Sequence, residues 1–292
     1  MKKVSKTNSS KKIQQPILPT RRDLKFNLPA AKISDWHTEA GPVFTAFLNT
    51  FSIVLPVGER FFIDAVRAHR DLVTDPELRK AVTAFIGQEA MHGREHEEYN
   101  AALFARTPVA PKFESLVART LGFVQRRLPK SMALSATIAL EHFTALLADG
   151  VLRDPRVTAG ADPGFAALWR WHALEETEHK AVAFDVWEAA MGCGARAYAE
   201  RSFGLVAATI IFWALVTPAF LLVLRSEGKL TDVAGWRKFF RYTFGDIGLL
   251  RTQLLDYADY FRPGFHPWDH DNSEYLKQID DFIAAYELRA AA

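Results

Sequence analysis

Two short motifs hold the residues best suited to chemistry. Glu89 and His92 stand three positions apart, and so do Glu176 and His179. On a helix that spacing sends both side chains off one face, so each pair can reach a single ion. Two more glutamates sit in apolar stripes. Leu55, Phe62, Ile63 and Val66 surround Glu59 at helical spacing, and Leu134, Ile138, Ala145 and Ala148 surround Glu141. A carboxylate buried with such a stripe is costly unless it is paired, protonated or bound to a metal. One Glu-x-x-His means little in a chain this long. The order means more: Glu, Glu-x-x-His, Glu, Glu-x-x-His, with 30 residues from Glu59 to Glu89 and 35 from Glu141 to Glu176.

That order reads as a duplicated helix pair, the layout of ferritin-like dinuclear carboxylate proteins. Four carboxylates balance the charge of two divalent cations. Oxygen and imidazole ligands suit iron, with manganese or zinc open. His172 precedes Glu176 by four residues and His179 by seven, so all three share a face. It is placed with the ligands, against an outer or solvated role. His96, four after His92, could orient a ligand or simply pack. Glu95, Glu97, Glu98, Glu175 and Glu178 are assigned to solvated faces. Asp64, Asp149 and Asp185 remain as hydrogen-bond acceptors behind the ligands.

Four long helices must carry these residues. Periodicity and breakers place them over about 42–71, 76–104, 130–152 and 164–191, with a shorter helix over 113–127. Pro56 should bend or interrupt the first. Asp75 and Pro76 suit the N-cap and first turn of the second. Strand alternation is scarce and no Asn-Gly or Asp-Gly hairpin signal appears. The expected fold is all-α, a ferritin-like four-helix bundle over about 42–191 with additional C-terminal helices over about 195–289. Residues 26–292 should form one helical domain.

Composition agrees. The chain has 292 residues, 49% of them apolar, which excludes disorder throughout. A lone Cys193 between glycines excludes a disulfide scaffold or a cysteine zinc site and fits a reducing, cytoplasmic compartment. The net charge of +2 is uneven, because residues 1–22 hold seven cations and no acid. Residues 1–25 therefore read as a basic disordered arm, without a secretory apolar core. No basic stripe interleaved with aromatics follows it, so no nucleic-acid partner is expected.

Residues 203–224 contain no charge and could cross a bilayer, which needs about 20 residues. They could equally pack along the bundle, form a homodimer, or lie at a membrane interface. Residues 262–271 mix histidine and aspartate with two prolines, which forbid regular helix. They are read as a loop closing one end of the bundle, or otherwise as a gate for substrate.

Five stretches resemble a bacterial family, the predicted metal-dependent hydrolases with a ferritin-like bundle. They are LPVGERFFIDAVR (55–67), FIGQEAMHGREH (85–96), ALEHFTA (139–145), WHALEETEHKAVAFDV (171–186) and RPGFHPWDHD (262–271). The ligand spacing is also similar to that of diiron arylamine N-oxygenases, where His172 matches an additional histidine ligand. That second resemblance implies oxygen chemistry.

Two mechanisms compete. An oxygenase would use two irons and dioxygen, an electron-donor protein, and a dry pocket for a small-molecule or acyl substrate. Phe61, Phe62, Phe85 and Phe143 could line that pocket, although core packing is the preferred account of them. A hydrolase would polarise an ester, amide or phosphoester with one ion and hold hydroxide on the other. A metal store or oxidant scavenger is the third reading. Oxidation is the preferred one.

Overall fold

The structure, a computed structural model, describes residues 17–290. It is all-α, with no strand among the described residues. Four segments run side by side: α1 (Gly41–Arg67), α2 (Pro76–Phe104), α4 (Lys130–Arg153), and a final pair, α5 (Pro163–His179) and α6 (Val182–Met191). Helix α3 (Ala110–Arg127) crosses between the halves. Beyond them come α7 (Ala195–Ser226), α8 (Val233–Thr243), α9 (Leu254–Asp259) and α10 (Ile279–Ala290). Local chemistry sets several boundaries. Asp75 Oδ1 accepts from Glu77 N at 3.0 Å to cap α2, and Asp162 Oδ1 accepts from Gly164 N at 3.0 Å to cap α5.

Two apolar clusters divide the core lengthwise. One gathers Phe44, Phe47, Tyr99, Leu103, Phe165 and Trp171. The other gathers Phe61, Val66, Phe85, Leu134, Ile138 and Trp187. The predicted ligands of α1, α2, α4 and α5 lie in sequence between these two sets, as a polar layer inside an apolar bundle.

Three expectations need correction. Of the bend or interruption expected at Pro56, the interruption is absent, and α1 is one helix. Proline lacks the N–H that would serve the Ser52 carbonyl, and Asn100 Nδ2 donates to that oxygen instead, at 2.8 Å. The helix expected over 164–191 is two, broken at Lys180 and Ala181 directly after His179. There the Lys180 ammonium donates to His270 O at 2.6 Å and to Asn272 Oδ1 at 2.7 Å. These contacts draw that turn toward the 262–271 loop. The third correction concerns the basic arm. Residues 1–16 lie outside the described residues. Residues 17–25 do not form a solvated arm: Leu24 is buried and Arg22 is held against α5.

Helix α7 lies against α1, α3 and α4 along one side and is exposed along the other. At Gly204 it comes so close to α4 that a Cβ would stand 2.0 Å from Ser135 Oγ. Among the described residues three helices, α1 extended to Leu72, α4 and α7, are long and apolar enough to cross a membrane, and α7 is the least buried of them.

Candidate metal centre

All seven predicted ligands are buried, and their donor atoms converge. Glu59 from α1 groups with His92 from α2 and His172 from α5. Glu141 from α4 groups with Glu89 from α2 and His179 from α5, and Glu89 also groups with His92 and Glu176. Within each group the donor atoms lie within 4.8 Å of one another. Glu176 spans both halves. Its Oε1 is 3.0 Å from His172 Nε2 and 3.8 Å from His92 Nδ1, while its Oε2 is 3.5 Å from His179 Nε2. His179 Nε2 is also 3.0 Å from Glu89 Oε1 and 3.8 Å from Glu141 Oε2. The result is one buried cluster of overlapping donor groups, with Glu89 and Glu176 reaching both of its ends.

Whether these residues fit two cations can be judged from their unused atoms. Both oxygens of Glu59, Glu89 and Glu141, together with Glu176 Oε2, His92 Nδ1 and His179 Nε2, are buried and make no hydrogen bond among the described residues. Buried polar atoms are nearly always satisfied. Here they are orphaned together and point inward. Burial, and then the neighbouring carboxylates, push Glu59 and Glu141 well above the usual carboxylate range. Burial also raises Glu89. Burial acts the same way on Glu176, but the His179 and His172 imidazoles outweigh it and hold that carboxyl well below the usual range. Such a group of acids needs positive charge at its centre, and the donor set of carboxylate oxygens and imidazole nitrogens suits divalent metal ions.

Each histidine is aimed by a partner on its other nitrogen. His92 Nε2 donates to Glu175 Oε2 at 3.2 Å, leaving the Nδ1 lone pair for the centre. His179 Nδ1 donates to Gln88 Oε1 at 3.0 Å, leaving Nε2. For His172 the chain is longer. Ser52 Oγ donates to Asn100 Oδ1 at 2.8 Å, so it must accept from His96 Nδ1, 2.9 Å away. His96 Nε2 therefore accepts from His172 Nδ1 at 3.0 Å, and the His172 Nε2 lone pair faces the centre. Burial, followed by the nearby His172, holds His92 and His96 well below the usual imidazole range, which keeps both neutral. His96 thus orients a ligand, the first of the two roles considered for it.

The solvated-face assignment fails for three glutamates. Glu175, Glu178 and Glu95 are buried. Arg22 Nη1 donates to Glu175 Oε1 at 3.2 Å and to Glu178 Oε2 at 2.8 Å. Glu178 Oε2 also accepts from Gln88 Nε2 at 2.6 Å. One guanidinium thereby braces the carboxylates behind His92 and His179. Burial, offset in part by Arg22, pushes Glu175 up to about 8. Glu95 accepts from Phe26 N at 3.0 Å. Glu97 and Glu98 are exposed, as expected, and pair with Arg60 and Lys25. No local signal marked Arg22, because its acceptors lie more than 150 residues away. Asp64, Asp149 and Asp185 do not support the ligands: they pair with Arg67, Arg153 and His266.

Two cavities meet the centre from different sides. One of about 350 Å³ reaches His172 and Glu176 and is otherwise almost wholly apolar, bounded by α1, α3, α4 and α7. Phe62 and Phe143 line it, the less favoured of the two roles considered for them. Phe61 belongs to the core instead, and Phe85 packs edge-on to His179, 5.0 Å between ring centres. The other cavity, about 250 Å³, is polar. It reaches Glu141 and is lined by Asp149, Lys180, His270 and Asn272. The 262–271 loop forms one of its walls through Pro267, His270 and Asp271, with Lys180 Nζ 4.0 Å from the Trp268 ring centre.

Fold and site together define a helical protein with a buried glutamate–histidine centre able to hold metal. The chain belongs to the family described as predicted metal-dependent hydrolases, whose model matches residues 20–271. No curated protein and no solved structure matches it.

Proposed function

We propose that this is a dinuclear-metal enzyme, with iron the preferred metal, that carries out dioxygen-dependent oxidation of an apolar organic substrate. The observation that carries the reading is the apolar cavity ending at His172 and Glu176. Glu59, His92 and His172 would hold one ion, Glu141 and His179 the other, and Glu89 and Glu176 would join them. When bound, two irons supply the redox chemistry of dioxygen. The chain's own residues do the rest. The walls of α3, α4 and α7 exclude water and orient the substrate. Arg22, through Glu175 and Glu178, and Ser52, through His96, hold the imidazoles in one tautomer. The polar cavity gives water and protons a separate path to Glu141. The spacing shared with diiron arylamine N-oxygenases supports oxidation, and an electron-donor protein would then be a partner.

Hydrolysis is the second reading, favoured by the family description and by that polar cavity, which can bring water to Glu141.

The test begins with metal content per chain, on protein purified without added metal. Anaerobic iron loading and exposure to dioxygen follow, with oxygen uptake recorded. Two irons per chain and oxygen uptake are expected, and Glu59→Ala and Glu141→Ala should each lose metal. If both variants keep two metals, the site is misplaced. Iron inert to dioxygen, with a zinc form that cleaves nitrophenyl esters, would replace oxidation with hydrolysis.

A further inference from the structure

The apolar cavity begins at the surface. Leu128, Phe203 and Ile211 each line it and are each exposed, so they mark a mouth between α3 and α7. On α7 the exposed positions Phe203, Val206, Ile210, Ala214, Thr217 and Leu221 follow one another in steps of three and four. They form a single uncharged stripe about 27 Å long. Phe203 is 60% exposed and Ile210 64%. On α3, Leu116 and Phe123 are exposed beside Arg119, Arg126 and Arg127. Residues 110–130 hold five cations, Lys112 and Lys130 included, and one acid, Glu114.

An uncharged apolar strip of this size marks an interaction surface. The cations beside it decide what it meets. A second copy of the chain would set one basic rim against another, whereas an anionic lipid surface complements both the strip and the rim. The strip is also continuous with the cavity, so a chain leaving a bilayer here would pass from one apolar medium into another.

We propose that the α3–α7 face rests on an anionic bilayer, and that the cavity draws an acyl chain from it to His172 and Glu176. The proposal rests on the reading of the metal centre as an active site.

The test uses the full chain, metal-loaded, in flotation with two kinds of vesicle. One is phosphatidylcholine alone, and the other has phosphatidylglycerol added as a minor component. Binding to the second should exceed binding to the first about tenfold or more and fall with salt. Phe203→Glu with Ile210→Glu, and separately Arg126→Glu with Arg127→Glu, should each lose that binding while metal content and melting temperature hold. Chain capture is read with cis-parinaric acid, whose fluorescence rises on burial. Ala208→Trp, which fills the cavity, should abolish the rise, and Ala207→Trp serves if the first variant folds poorly.

Absent vesicle binding with two metals in place overturns the proposal and leaves the metal centre standing. So does a dimer that the Phe203 and Ile210 variants dissociate, which would give the face to a second copy. Parinaric fluorescence indifferent to both cavity variants overturns the acyl-chain half. Lost metal with vesicle binding intact would count against the metal centre and not the docking face.

Discussion

Asn100 decides, through Ser52 and His96, which nitrogen of His172 carries the free lone pair. Its own amide is oriented because Pro56 leaves the Ser52 carbonyl without a helical donor. A residue read from sequence as a helix breaker therefore acts on the His172 tautomer through three side chains, Asn100, Ser52 and His96. Asn100→Leu should weaken metal binding about ten- to a hundredfold, measured against a competing chelator, with the helix content retained. Unchanged affinity in the folded variant would show that His172 needs no such support. His37 makes a comparable demand away from the centre. Its Nε2 donates to Val157 O at 2.8 Å and its Nδ1 accepts from Ala40 N at 3.2 Å, so only the neutral ring satisfies both. Burial holds its pKa below the usual 6.5. The unfolded chain then takes up the proton first, and the stability His37 gives is present above about pH 6.5 and lost as pH falls below it. In melting curves across that range, His37→Phe should flatten the acid side of the profile.

At the scale of elements, the four ligand-bearing segments are legible because two carry a glutamate inside an apolar stripe of period 3.6 and the other two carry Glu-x-x-His. A polar residue on a buried face is a local signal, and Glu59 and Glu141 send it plainly. Glu175 and Glu178 send none. Whether they meet water depends on residues 17–25 lying across them, and that contact spans more than 150 positions. The break after His179 is unreadable for a like reason: no glycine or proline marks it, and the partners of Lys180 there, His270 and Asn272, lie about 90 residues on. The segment around Arg22 is thus part of the centre. Arg22→Ala would leave Glu175 and Glu178 buried without their shared cation, at a cost of roughly 3–5 kcal/mol. Thermal melting should show the loss, and metal affinity should fall with it. A variant that melts like the parent would mean that the guanidinium is ornamental to both histidines.

For the whole molecule, the centre lies between two unlike compartments, one apolar and opening between α3 and α7, one polar and walled by the 262–271 loop. The all-α class was readable from composition and periodicity, but this division was not. It depends on which faces of α3 and α7 are left uncovered after packing, a property of the assembled helices rather than of any one of them. The centre itself is lopsided. His92 and His172 stand in one half, and His179 alone stands in the other with Glu141. Nitrogen-rich and oxygen-rich positions rank divalent ions differently, so the two places proposed for metal should fill in turn and not as twins. A titration with cobalt(II), followed optically, should show two inflections. Chains starved of metal would then carry a single ion beside an empty neighbour, and chains offered a mixture could hold two different elements side by side.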